Sequence, residues 1–421
     1  MSFAARQRFL FLQGPPGPFF HRLAKSLLTL GHAVHRINLN AGDSAAWALA
    51  AVDYRGTAEH WPSFVDDFMV RHQISDLVLF GDCRPLHDAA RSLARLRDIR
   101  IHVFEEGYIR PDWVTLELDG VNGYSTLPRE PYAYLEAARE LPPLVRQSPV
   151  PATFQRRARE ATAYYMRTTF GQWRFPHYKS HRGRSSTSEA LGWLKRFALQ
   201  SLRNEQDEAA IAQLDGHRYF LLPLQLSSDH QIRIHSKFGT MQAGAAYVIE
   251  SFAHSAPPDT RLLVKEHPLD SSLVSWRRYI RRIARRSGVE DRVIFSRGGD
   301  LTQLVGGALG IVTINSTTGT LALASGIPVI ALGDAVYNIP GLTFDGPLDK
   351  FWGRPIPPGP RIWDAFCRVL QARCLIRGGF ASDEGIELLI EGAIGRLVHA
   401  ETYADIGHID RVRCQSLSVV R

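Results

Sequence analysis

The feature that most constrains this chain is an alternation of short apolar runs with helical stretches, which occurs twice with a long break between. It begins at Phe9–Leu12, crosses the turn Gln13-Gly14-Pro15-Pro16-Gly17-Pro18, continues as a helical stretch at 19–30 and returns at 33–39. Apolar runs at 77–80 and 101–104 flank a helical stretch at 85–97. From Tyr219 the rhythm resumes, with strand candidates at 219–223, 261–264, 293–295, 310–314 and 328–332. Helical stretches at 241–253, 271–287, 301–306 and 318–324 lie between them. Short apolar strands joined by helices predict parallel sheets covered on both faces. The expected fold class is therefore α/β, with two Rossmann-like doubly wound domains at 1–150 and 216–360. Pro142, Pro143, Pro149 and Pro151 lead into a linker or insertion at 151–215, and a helical segment at 361–421 follows whose packing the sequence does not place.

The net charge of +8 is concentrated in that break. Between Arg156 and Arg203 eleven Lys/Arg face only Glu160 and Glu189, among Tyr164, Tyr165, Trp173, Phe175, Tyr178, Trp193 and Phe197. Clustered cations suit a solvated face, an anionic membrane surface or nucleic acid. The interleaved aromatic rings favour the membrane surface, where such rings settle at headgroup depth. At helical spacing, Arg277, Arg278, Arg281, Arg282, Arg285 and Arg286 form a second cationic face beside Trp276, Ile280 and Ile283. No apolar stretch reaches the length of a membrane span or a secretory signal, and four scattered cysteines fit neither a zinc site nor a disulfide framework. A cytoplasmic protein follows as the expectation.

Open parallel sheets bind ligands beyond the carboxyl ends of their strands, so the residues after each strand are the candidates. In the first domain these are Gln13-Gly14, then Gly81-Asp82-Cys83-Arg84, then Glu105-Glu106-Gly107-Tyr108-Ile109-Arg110. Adjacent carboxylates at a strand end raise each other's pKa, which suits acid/base work. In the second domain they are Gln225 to Gln231, including Ser228 and Asp229, then Lys265-Glu266-His267-Pro268, then Asn315-Ser316-Thr317-Thr318-Gly319. A His before Pro and a hydroxyl-rich turn opening a helix together make an anion site. Neither GxGxxG nor GxxxxGK[ST] occurs, which disfavours the usual modes of NAD and ATP binding. DxD and CxxC are also missing, and the pair His177 and His181 lies among cations that repel a metal ion. No metal and no cofactor are expected.

Two such domains with a phosphate site in the second fit the GT-B glycosyltransferase architecture, with a central cleft between them. The strings FLQGPPGPFF, FGDCRP, FEEGYIRPDWVTLE, NGYS, PLQLSSDHQI, KEHP and INSTTGTLAL, followed by GIPVIALGDAVYNIPGLTF, resemble the capsule polysaccharide biosynthesis family of Gram-negative bacteria. The resemblance is to its single-module KpsS-type retaining β-Kdo transferases, and it spans about residues 9 to 344. It implies transfer of Kdo from CMP-β-Kdo to phosphatidylglycerol or its lyso form, starting the poly-Kdo linker of a capsule glycolipid. It further implies a peripheral enzyme on the cytoplasmic face of the inner membrane, working beside other capsule biosynthesis and export proteins.

On this resemblance Asp229 is the nucleophile, Glu106 the acid/base, and His267 the group that meets the leaving phosphate; the two carboxylate roles are exchangeable. Substrate contacts are carried over to Gln13, Gly14, Glu105, Arg110, Gln225, Ser228, Lys265, Pro268, Asn315, Ser316, Thr317 and Gly319. Another CMP-sugar transfer, such as that of sialic acid, shares the His-Pro pair. A non-catalytic capsule export or assembly factor is the alternative from outside the enzymes. Nucleic-acid binding would use the cations but accounts for none of the strand-end motifs.

Overall fold

The computed structural model describes residues 6–145, 147–179, 200–226, 230–268, 270 and 275–398. The first half of the chain contributes six strands: β1 (Arg8–Phe11), β2 (Ala33–Asn38), β3 (Val52–Asp53), β4 (Asp76–Phe80), β5 (Arg100–Glu106) and β6 (Trp113–Leu118). The second half contributes β7 (Arg218–Pro223), β8 (Thr260–Lys265), β9 (Val293–Ser296), β10 (Gly310–Thr313), β11 (Val329–Ala331) and β12 (Leu375–Arg377).

Two sheets result. The first has the order β12-β6-β5-β4-β1-β2-β3; β5 to β3 run parallel, while β6 and β12 are antiparallel additions at one side. The second, β11-β10-β7-β8-β9, is parallel throughout. In each, strand order reverses beside the first strand of the sheet, so the switch points lie between β1 and β4 and between β7 and β10. Parallel pairing needs a crossover, and the intervening helices supply it with amphipathic faces. The helix Phe19–Thr29, for example, buries Phe19, Phe20, Leu23, Ala24 and Leu27.

The chain divides into two compact units. One draws its described residues from Met1–Thr126, Glu140–His181 and Cys367–Arg421, the other from Leu127–Arg139 and Arg182–Phe366. This differs from the expected linear division in two respects. The helix Phe154–Phe170, expected within a separate insertion, belongs to the first unit because Tyr164 is buried in a polar network there. The C-terminal segment also returns to the first unit: β12 extends its sheet, and the helix Asp383–Val398 places Ile386, Leu389, Ala393 and Leu397 in a core with Phe9, Phe11 and Phe104.

The second unit's core is built from Phe220, Leu222, Val248, Phe252, Leu262, Val264, Val312, Ile330 and Trp352. Its arginine-faced helix, Trp276–Arg286, buries Trp276, Ile280, Ile283 and Ala284 and leaves most of the guanidinium groups outward. Three of the six are engaged locally: Arg277 pairs with Asp207, Arg281 with Glu290, and Arg282 lies over the ring of Tyr279. Among the described residues, no helix is long and apolar enough to cross a membrane.

Candidate functional site

In the first unit the loops after β1, β4 and β5 emerge from three adjacent strands at the switch point. The string FEEGYIRPDWVTLE is the β5–β6 hairpin, in which Glu105 pairs with Thr115 and Glu106 with Val114. Gly107 is required there, since a Cβ would lie 2.2 Å from Trp113 O. The hairpin is braced from beneath by Glu117, which accepts hydrogen bonds from the Tyr108 and Ser125 hydroxyls, while the Tyr108 oxygen accepts Asn122 N–H at 2.7 Å. Burial pushes the Glu117 carboxyl up to about 7. NGYS is therefore the second half of the brace that presents the Glu105-Glu106 pair.

The two carboxylates are not equivalent. Glu105 is half-buried and its Oε1 accepts Glu106 N–H at 3.0 Å. Desolvation, together with the charges of Glu106 and Asp82, raises it to about 7 against the opposing pull of that N–H and Arg84. Glu106, expected as the acid/base, forms an ion pair with Arg157 of the helix Phe154–Phe170. That contact fixes its carboxylate in place and leaves Glu105 as the group poised to exchange a proton near neutral pH.

Gln13 and Arg110, expected to contact substrate, make hydrogen bonds within the first unit. The Gln13 amide is buried and donates to Tyr164 OH at 2.6 Å and Tyr178 OH at 3.2 Å, so it ties the basic helix to the sheet edge. Arg110 donates to Gly107 O at 3.2 Å and closes its own turn. Gly14 allows close packing, since a Cβ there would meet the Phe20 ring at 2.7 Å. Tyr164 also accepts from Asn40 Nδ2 at 2.9 Å and donates to Asp43 Oδ1 at 2.8 Å; Asp43 in turn faces Arg36 at 3.6 Å. Beside this network an open cleft of about 340 Å³ is lined by Gly17, His21, Gly42, Ala46, Glu160 and Arg167, among others.

Sequence reasoning missed His87. It is fully buried, its Nδ1–H donates to Gly81 O at 2.7 Å, and desolvation together with Arg84 lowers it to about 3. The imidazole is thus neutral with its proton on Nδ1, and Nε2 has no hydrogen-bond partner among the described residues. Its spacing in Arg84-Pro85-Leu86-His87 on the first turn of a helix was the available signal.

In the second unit the candidate loops follow β10, β7 and β8, again three adjacent strands. Gln225 and Asn315 meet directly across the switch point: Gln225 Oε1 accepts Asn315 N–H at 2.9 Å, and Asn315 Nδ2 donates to His235 O at 3.0 Å. Gln225, expected to bond sugar hydroxyls, bridges two strand ends through its Oε1. Lys265 is buried and donates to Arg297 O at 2.8 Å. Its neighbour Glu266 is buried in an ion pair with Arg297 at 2.9 Å.

Beyond them His267 is partly exposed, and its carbonyl accepts Asp270 N–H at 3.0 Å; Pro268 is exposed. In the Asn315 turn, Ser316 Oγ accepts Thr318 N–H at 3.1 Å just before the helix Thr318–Ala324. Gly319 N–H reaches Ser316 O at 2.9 Å, and a Cβ at Gly319 would lie 2.4 Å from the Tyr337 hydroxyl. Thr317 is half-buried at the same turn. Asp229, Ser228 and His181 lie outside the described residues, as do the cations from Arg182 to Arg196.

Comparison with known proteins agrees with the motif strings. Residues 75–381 match the family described as capsule polysaccharide biosynthesis protein. The chain is 35% identical over 392 residues to the capsule polysaccharide modification protein LipB of Neisseria meningitidis serogroup B, covering 89% of this chain and 92% of that one. It is 33% identical over 366 residues to the capsule polysaccharide export protein KpsS of Escherichia coli, covering 86% and 93%. Among solved structures, the β-Kdo 2,7 transferase of Thermosulfurimonas dismutans KpsC matches with a TM-score of 0.43 and 14% identity, covering 91% of this chain and 99% of that one. With most of its length matched by the family and by these relatives, the chain belongs to the capsule polysaccharide biosynthesis family.

Proposed function

We propose that this protein is a retaining glycosyltransferase that moves Kdo from CMP-β-Kdo to phosphatidylglycerol or its lyso form, initiating the linker of a capsule glycolipid. The observation that carries the reading is that, in a member of this family, each unit has its own strand-end site. The first unit presents a carboxyl near pKa 7 beside a second one fixed by arginine, and the second unit presents His267 and a hydroxyl-rich turn around its switch point.

In this reading Asp229 attacks the anomeric carbon and expels CMP, forming a glycosyl ester. His267 and Thr317 receive the charge that develops on the departing phosphate, the N–H groups of Asn315, Ser316, Thr318 and Gly319 being bonded within the second unit. The acceptor hydroxyl then gives its proton to Glu105 and displaces Asp229, so that two inversions give net retention. Glu106, held by Arg157, positions the acceptor. No metal is required, because the leaving-group charge has protein donors. The enzyme works at the cytoplasmic face of the inner membrane alongside other capsule biosynthesis and export proteins.

The test is incubation of the purified protein with CMP-Kdo, generated in place, and a fluorescent phosphatidylglycerol, with the product read by mass. A gain of one Kdo, absent with Asp229→Ala and His267→Ala, is the expected result. Absence of product from folded protein that still binds CMP points to another CMP-sugar or acceptor, and failure to bind CMP at all refutes the transferase reading.

A further inference from the structure

We propose that the tip of the helix Phe154–Phe170, with the turn after it, is a wedge that inserts into an anionic lipid bilayer and seats the first unit on it. This surface deepens the lipid-acceptor reading above and rests on it.

Met166, Phe170 and Trp173 are 52%, 75% and 80% exposed. Met166 and Phe170 lie one turn apart at the end of the helix and Trp173 follows in the short turn Gln172–Arg174, so three large exposed apolar side chains fall within eight residues, whereas isolated exposed hydrophobics are ordinary. The opposite side of the same helix is anchored: Tyr164 is buried, and Thr168 Oγ1 donates to Asn40 Oδ1 at 3.1 Å. Trp173 is also held outward, because the next two residues are fixed, Arg174 on Asp53 at 3.0 Å and Phe175 within the core. An apolar tip presented by a braced backbone has its solvent exposure enforced.

Charge specifies the partner. Residues 154–179 contain six Lys/Arg and one acid, Glu160, a balance of +5. Of these, Arg156, Arg157 and Arg174 are paired with Asp383, Glu106 and Asp53, while Arg167 and Lys179 are exposed and flank the tip in sequence. A tryptophan and a phenylalanine flanked by exposed cations match the headgroup zone of an anionic bilayer, where the rings reach the acyl boundary and the cations meet lipid phosphates. Three side chains are too few for a stable interface with a second copy, which needs roughly 800 Å² from each partner. The helix also links this contact to the candidate chemistry. Arg157, which holds Glu106, precedes Phe170 by thirteen residues, or about 20 Å of helix. The carboxylates therefore stand within about that height of the bilayer, and closer as the helix tilts.

The experiment is co-sedimentation of the full chain with vesicles of phosphatidylcholine alone and with one quarter phosphatidylglycerol. The wild type is expected to partition at least tenfold more strongly to the anionic vesicles. The combined variant Met166→Ser, Phe170→Ser, Trp173→Ser should lose at least tenfold of that binding, and Trp173→Ser alone a part of it, with thermal melting unchanged in both. Leu96→Ser, at a site 82% exposed elsewhere on the first unit, should bind as wild type. Equal binding to both vesicle types, wild-type binding by the triple variant, or displacement of the vesicles by a single-stranded oligonucleotide overturns the proposal. So does a concentration-dependent dimer that the triple variant loses without any vesicle binding. Transfer to a short-chain, water-soluble phosphatidylglycerol, measured in parallel, separates the two ideas: loss of vesicle binding in the triple variant supports the wedge even where no Kdo is transferred.

Discussion

Removing one oxygen atom, by Tyr164→Phe, should release the helix that carries both Arg157 and the exposed aromatic tip. The hydroxyl accepts from Gln13 and Asn40 and donates to Asp43, all within 2.9 Å and all buried. Two neutral hydrogen bonds contribute about 1 kcal/mol each, and one to a carboxylate about 1.5–3 kcal/mol. Part of this is recovered, because the Gln13 amide keeps Tyr178 at 3.2 Å and Asp43 keeps Leu39 N–H at 3.1 Å. The net loss is taken at the low end, about 3 kcal/mol, since phenylalanine fills the same space and leaves no cavity. The assay is native-state hydrogen exchange resolved to peptides. Amides within the helix Phe154–Phe170 should lose protection by roughly 100-fold, as each 1.4 kcal/mol is a factor of ten, while those of β7 keep theirs. A loss smaller than tenfold would mean that the helix is held by its apolar contacts, and the account of Gln13 as its tether would be withdrawn.

Three further outcomes follow from the same geometry. Glu105→Gln should abolish an acid-side limb with an apparent pKa near 7 in the rate of transfer, measured from pH 5 to 9; an unchanged limb would assign the proton to another group. Because the folded pKa of Glu105 is raised, its contribution to stability is complete below about pH 4.5 and is lost as pH rises through about 7, so at pH 8 the glutamine variant should be more stable by up to about 2 kcal/mol, allowing for partial exposure, and equal at pH 4. Equal denaturant midpoints at both pH values would contradict this. Gly319→Ala places a Cβ 2.4 Å from the Tyr337 hydroxyl and should cost about 1–3 kcal/mol in the second unit, read as a lowered urea midpoint for its unfolding.

Both doubly wound sheets were legible in the sequence because their central strands are apolar runs bounded by turns, as at Phe9–Leu12 and Gly310–Ile314. The pieces that escaped lack that signal. β3 and β12 have two and three residues, too short to carry a period, and β6 alternates Val114-Thr115-Leu116-Glu117 as an antiparallel strand inside what reads as a loop motif. The candidate loops were placed correctly at strand ends, since that follows from topology. The hydrogen bonds of their polar side chains were not legible, because the partners are distant in sequence: Gln13 meets Tyr164 across 151 positions and Gln225 meets Asn315 across 90. A local pattern of Gln, Gly and Pro does not distinguish a ligand contact from a tether. The half-titrated state of Glu105 likewise arises from desolvation, which depends on neighbours the linear order does not supply.

The return of the C-terminal segment to the first sheet sets an order of events during synthesis. β12 pairs with β6, and Gln7 Nε2 donates to Leu397 O at 3.0 Å, so residues from both ends of the described chain complete one core. As the ribosome moves from the N-terminus, every strand of the second sheet has been made before residue 375 appears. The second unit can therefore finish on the nascent chain while the first holds an open edge at β6 and an uncovered apolar face on the helix Phe19–Thr29. The first unit begins first and closes last, and over that interval its exposed face is a natural substrate for chaperones.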